Sequence, residues 1–309
     1  MRGLLASIMT VVAAGAAMPA VAAEPEEQVI TVPGFADFLA VDGQSVWTTN
    51  RDKVEQWSVK GKLAEVPMTR ACGAMTVAFK SLWVADCKEK TLNRVDIKRG
   101  RMAAVIQTGI GAPDGEMNVA AGAGSIWVAT DATGVISRID PKSNKVIATV
   151  ATKPGAVYLA FGFGSLWAAS GKEQTLQRID PRTNAVVATI ALGRQPGFLA
   201  AGVGGVWVQE QGDGTVAAID PMTNAIRGRV KVGDALKYGD IDTGGGKVWL
   251  RTTEDQMFAV IDPVSLQVVT RKGKPSGSGA LRYTSKGVWT SAHDLHTLSW
   301  WRDPAVLAK

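Results

Sequence analysis

Along most of the chain, apolar residues gather in short runs separated by polar or glycine-rich gaps, and no stretch sustains a 3.6-residue apolar period. The run SIWVAT (Ser125 to Thr130) is rich in β-branched and aromatic residues and predicts a buried strand. Asp131, Ala132, Thr133 and Gly134 predict a turn, and VISRID a second strand. That strand stops at Pro141, which has no N–H to give to a ladder. Lys142, Ser143 and Asn144 form the next turn, and KVIATV a third strand. After Lys153, Pro154 and Gly155 comes VYLAFG, a further strand ending at Gly162. Four short strands joined by polar turns predict one antiparallel sheet.

The same pattern is written three times. GSIWVATDATGVISRIDPKSNKVIATV begins at Gly124, GSLWAASGKEQTLQRIDPRTNAVVATI at Gly164 and GGVWVQEQGDGTVAAIDPMTNAIRGRV at Gly204, each 40 residues after the last. A period near 40 residues with four strands per unit is the signature of a propeller blade. Tryptophan counts the blades: Trp47, Trp83, Trp127, Trp167, Trp207, Trp249 and Trp289 stand 36, 44, 40, 40, 42 and 40 residues apart. An Asp follows thirteen residues on, as Asp96, Asp140, Asp180, Asp220 and Asp262, with the last mark shifted to Asp303. Seven marks predict an all-β fold, a seven-bladed β-propeller whose tryptophans pack between blades. QVITVPG near the N-terminus matches the outer strand KVIATVATKPG but precedes every blade. The last blade supplies three strands, Ala280 to Tyr283, Gly287 to Ser291 and Thr297 to Arg302. Residues 27 to 32 are therefore expected to complete that blade and remove two exposed sheet edges.

Residues 1–23 read as a signal peptide: Arg2, the apolar LLASIMTVVAAGAAM, then AVAA before Glu24 as a cleavage site. No other stretch has the ~20 apolar residues needed to span a bilayer. Residues 24–309 are then one propeller domain, exported to the periplasm or secreted, without a membrane partner after cleavage, and expected as a monomer. The chain is 46% hydrophobic and carries a formal net charge of +6. Its basic residues are dispersed over turns with no run of five like charges, which argues against a nucleic-acid face.

Cys72 and Cys87 are the only cysteines. If the first and second strands of the third blade form a hairpin around Gly122 and Gly124, Ala120 lies opposite Trp127, and Glu116 falls opposite Asp131. Subtracting the 44-residue offset between Trp127 and Trp83 lands on Cys72 and Cys87. A cross-strand disulfide is expected, and the compartment permits it.

With these residues in view, GSIWVA…RIDPKSNKVIATV and its copies resemble the seven-bladed propellers of the YVTN and virginiamycin B lyase (streptogramin lyase) superfamily. The resemblance covers the whole mature chain. For the lyase it implies a divalent cation, held with His and Glu from neighbouring late blades, that helps open a cyclic depsipeptide by elimination. This chain has only His293 and His296, both in the seventh blade, and no Glu-x-His, so none of the family's catalytic residues is carried over.

No Ser-His-Asp set, phosphate loop or paired-Cys metal motif is present. Counting back from each Trp finds positions that depart from the repeat. Eleven before come Ala36, Cys72, Glu116, Ala156, Pro196, Tyr238 and Ser278; seven before come Ala40, Thr76, Ala120, Ala160, Ala200, Asp242 and Arg282. An acid and a base in adjacent blades read either as an ion pair closing the ring or as a ligand clamp. The candidate site at the channel mouth is Glu116, Tyr238, Asp240, Asp242, Arg282 and His293. The first functional expectation is a propeller binding a small molecule or polymer there. The alternative is a lyase or lactonase-type enzyme using a divalent cation, the one cofactor the resemblance admits.

Overall fold

A computed structural model describes residues 27–109, 115–131, 133–252 and 257–309. The segment read as a signal peptide lies outside the described residues. Seven four-stranded antiparallel sheets form a ring; in six of them the strands follow sequence order from the axis outwards, and in the seventh the outermost strand comes from the N-terminal end. Blade one covers 36–67, blade two 71–107, blade three 119–151, blade four 156–191, blade five 196–231 and blade six 241–272. Blade seven takes Leu281–Thr284, Gly287–Ala292 and Thr297–Arg302 from the C-terminal end and Glu27–Thr31 from the N-terminal end. Glu27 pairs with Trp301 and Thr31 with Thr297, as expected, and Val32 N–H adds a bond of 2.7 Å to His296 O. The sequence repeat is offset from the sheet by one strand. Ala156–Gly162, read above as the fourth strand of the Gly124 unit, is the innermost strand of blade four. Turn chemistry alone does not say across which gap the chain changes sheets.

The seven tryptophans pair with the residues seven positions before them in every blade, from Ala40 with Trp47 to Arg282 with Trp289. All seven side chains are buried. At ~200 Å² each and about 25 cal/mol per Å², each contributes on the order of 5 kcal/mol before entropy. An arginine makes this packing directional. Arg138 lies over Trp127 with its guanidinium carbon 4.8 Å from the ring centroid. Its Nε donates to Ser125 Oγ at 2.8 Å. Its NH1 crosses to blade four, donating to Pro181 O at 2.5 Å and Asn184 Oδ1 at 2.9 Å. Arg94 and Arg178 repeat the arrangement on Trp83 and Trp167. The Asp of each RIDP turn accepts backbone N–H groups two residues on, and Asn144, Asn184 and Asn224 take the left-handed conformation (φ +54 to +58°) that closes the turn. Arginine, proline and asparagine therefore recur because they are one inter-blade joint.

The Cys72–Cys87 disulfide is present, with Cα atoms 6.0 Å apart. Its register differs from expectation. Cys72 pairs with Ala85, and Cys87 N–H bonds Arg70 O at 3.1 Å, so the bridge runs diagonally. The cause is a bulge between Cys72 and Thr76, where Gly73 has φ +73° and sits so close to Met117 that a Cβ would lie 2.3 Å from its carbonyl oxygen. Glu116 is likewise off the ladder, because the first strand of blade three begins at Val119.

Candidate functional site

The innermost strands start at one face of the disc, and the residues at their beginnings enclose a cavity of about 780 Å³. Phe38, Tyr158 and Phe198 form its apolar bottom. Phe38 of blade one lies 5.9 Å from Phe198 of blade five, and Tyr158 of blade four meets Phe198 edge-on at 4.8 Å. Blades one and five are not neighbours in a ring of seven, so this contact crosses the axis.

Of the six candidates, Glu116, Tyr238 and His293 line the cavity. Tyr238 is 68% exposed. His293 stacks on Phe35 with ring centroids 4.0 Å apart, and burial lowers its pKa, against the pull of Asp294 with its carboxylate 3.1 Å away. Asp240, Asp242 and Arg282 do not line the cavity; they join blades six and seven. Arg282 pairs with Asp240 rather than with Asp242. Asp240 is 3% exposed and also accepts from Ile241 N–H at 2.8 Å. Asp242 accepts from Thr243 and Tyr283 N–H, both at 2.8 Å, and burial raises its pKa. Both carboxylates turn toward backbone N–H groups that the short first strands of these blades leave available. His296, the other histidine, holds Gly34 O at 2.6 Å through Nδ1.

The residues missed by the sequence reading are Asp37 and the aromatic bottom. Counting back ten positions from each Trp gives Asp37, Gly73, Met117, Val157, Gly197, Gly239 and Gly279; nine back gives Phe38, Ala74, Asn118, Tyr158, Phe198, Asp240 and Ala280. An acid among glycines and three aromatics in one row were visible signals. Strict strand alternation hid them, because it assigns adjacent positions to opposite faces. Register shifts between Ala36 and Leu39, Ala156 and Tyr158, and Pro196 and Leu199 bring both rows to the cavity.

Asp37 is the electrostatic centre. It lines the cavity, no hydrogen-bond donor among the described residues reaches its carboxyl, and its pKa is pushed up to about 7. Desolvation is the main cause, and Glu116, Asp240 and Asp294 add to it while Arg251 opposes. Glu116 is raised for the same reasons, desolvation first and Asp240 second, with Arg70 opposing. The Tyr158 hydroxyl is pushed up to about 12, by burial and by Glu116. Arg251, buried below, donates to Ser291 O at 3.0 Å and to Met257 O at 3.0 Å, and its pKa falls to about 10 by desolvation. Ser291 Oγ in turn donates to Asp37 O at 2.5 Å and accepts from Ala280 N–H at 2.7 Å. The backbone of Asp37 is thus fixed across three blades while its carboxyl is left open. Arg51 and Arg70 stand at the wall nearer solvent.

The divalent cation implied by the resemblance finds no match in the donor set. Among the described residues, no three His, Cys, Asp or Glu side chains converge as metal ligands.

Fold and cavity together define a seven-bladed β-propeller with a cup at one face of the disc. No family model matches the chain, and no curated protein matches it either. Among solved structures it is similar to a streptogramin B lyase, at 13% identity and a TM-score of 0.76 over 90% of this chain and 97% of that one. It is equally similar to virginiamycin B lyase from Staphylococcus aureus, at 13% identity and 0.76 over 91% and 100%. A chain of the mitotic checkpoint complex matches at 14% identity and 0.75 over 98% and 99%. The resemblance read from the sequence therefore holds for the fold, and a fold shared by a lyase and a checkpoint assembly does not assign an activity.

Proposed function

We propose that this propeller is an exported ligand-binding protein, periplasmic or secreted, that takes a small molecule or the end of a polymer into its cup. The observation that carries this is the cavity of about 780 Å³, with an apolar bottom and a few convergent polar groups, on an otherwise rigid ring. Export is supported by the disulfide and by the absence, among the described residues, of a helix long and apolar enough to cross a membrane. Nothing in the reading requires nucleic acid, and a monomer suffices because all cup residues come from one chain.

The test is a thermal-shift screen over amines, acids, sugars and short peptides, repeated on Glu116→Ala and Tyr238→Ala. Both side chains are exposed at the cup, so these variants should melt as the wild type does, within a degree or two. Hits weakened in the variants are expected. A screen with no hits, or hits indifferent to both substitutions, would sink the reading.

A second reading, an enzyme, rests on Asp37. A carboxyl with a pKa of about 7, facing a cavity beside a neutral imidazole, is suited to proton transfer. Turnover of a cup-bound hit, lost in Asp37→Asn with binding retained, would move the protein into that class.

A further inference from the structure

We infer that the cup selects a protonated amine carried on an apolar body, with the ammonium group seated at Asp37 and the body against Phe38, Tyr158 and Phe198. The inference rests on the ligand-binding reading above and names the chemistry of the ligand.

Three observations converge on it. Asp37 lines the cavity, and among the described residues no donor bonds its carboxyl, so a hydrogen-bond position is left for a guest. The charged groups that face Asp37 are Glu116 from blade three, Asp240 from blade six, Asp294 from blade seven and Arg251 from blade six, three acids against one base. Asp240 is already matched by Arg282, and Arg251 is spent on backbone carbonyls of its own blade and of blade seven. The charges acting on Asp37 are therefore mostly negative even with Arg251 counted, although the whole chain has a formal net charge of +6. The third observation is that three aromatic rings line the same cavity as Asp37, and ring faces attract cations as carboxylates do while also accepting an apolar body. Arg51 and Arg70 belong to the outer wall, where Glu116 lies within the field of Arg70. They disfavour a second positive charge near solvent, which limits the guest to a cation at one end.

The experiment compares three probes of one shape by calorimetry on the wild-type protein: phenethylammonium, phenethyl alcohol and phenylacetate. At about pH 8 the ammonium should bind roughly tenfold or more tighter than the alcohol, and phenylacetate weakest. Lowering the pH to about 5.5 protonates Asp37 and should remove most of that preference, while the affinity of the alcohol stays unchanged. Asp37→Asn should abolish the preference at every pH and spare the alcohol, which also reports that the cup is intact. The alcohol or phenylacetate binding as tightly as the ammonium would overturn the amine inference and leave the ligand-binding reading standing. No binding by any of the three at millimolar concentration would overturn the amine inference, and the mixed-library screen then decides the broader reading separately.

Discussion

Asp37→Asn should make the protein more stable, and the gain should grow with pH. In the unfolded chain this carboxyl releases its proton near 3.8, and in the folded protein near 7. Between those values the native state binds a proton that the unfolded state lacks, so raising the pH favours unfolding. The full shift corresponds to about 4 kcal/mol above pH 7, at 1.36 kcal/mol per pH unit. Water in the cup reduces this, so the expected gain is about 2–4 kcal/mol at pH 8, falling to nearly nothing at about pH 4, where the protonated acid and the amide are close in shape and charge. That is a large fraction of the roughly 5–15 kcal/mol that holds a domain together. Urea unfolding followed by the fluorescence of the buried tryptophans, for both proteins at about pH 4, 6 and 8, measures the gap directly. A gap that is constant with pH, or a variant less stable than the wild type at pH 8, would refute the account of Asp37 as a desolvated charge. A confirmed gain would mean that the fold carries this carboxylate at a cost that stability alone does not explain.

Arg282→Met should cost about 3–5 kcal/mol by leaving the Asp240 carboxylate buried and unpaired, and adding Asp240→Asn should recover much of it in the same unfolding assay. Arg138→Ala should cost about 2–3 kcal/mol, because two bonds to the next blade and the stack on Trp127 go together, whereas Arg182→Ala, whose ion pair with Asp180 is exposed, should leave the unfolding midpoint unchanged. Replacing both cysteines by serine should cost about 3 kcal/mol. Peptide mass spectrometry of the unreduced protein should find Cys72 joined to Cys87, and two free thiols would contradict the bond.

Most of the architecture was legible because the repeat is redundant. A Trp that is wrong in one blade is corrected by six others, and the joint built from Arg138, Pro181 and Asn184 recurs often enough to be recognised without coordinates. The orphan strand at residues 27–31 was legible for a different reason, since an outer strand has no partner until the ring closes. The site was only half legible. Glu116 and Tyr238 stood out because each breaks its own repeat position at a strand entrance, and the structure places both, with His293, on the cavity wall. Asp242 and Arg282 break theirs as plainly, yet the cause is a joint between blades, and a departure from a repeat does not distinguish a clamp from a seam. Asp37 escaped because the argument relied on strict alternation, and the bulges after Ala36, Ala156 and Pro196 suspend alternation where the cup is formed. Irregular backbone is invisible to a ruler that assumes regular strands.

The contact between Phe38 and Phe198 spans the axis, and the cup is built from residues at one face of the disc. A guest that enters the cup from that face is loaded according to the concentration there. The opposite face, on which the Arg–Pro–Asn joints lie, is free to be anchored without affecting exchange, whereas anything pressed against the entrance acts as a stopper. Which way the disc faces is thus itself a variable that controls loading.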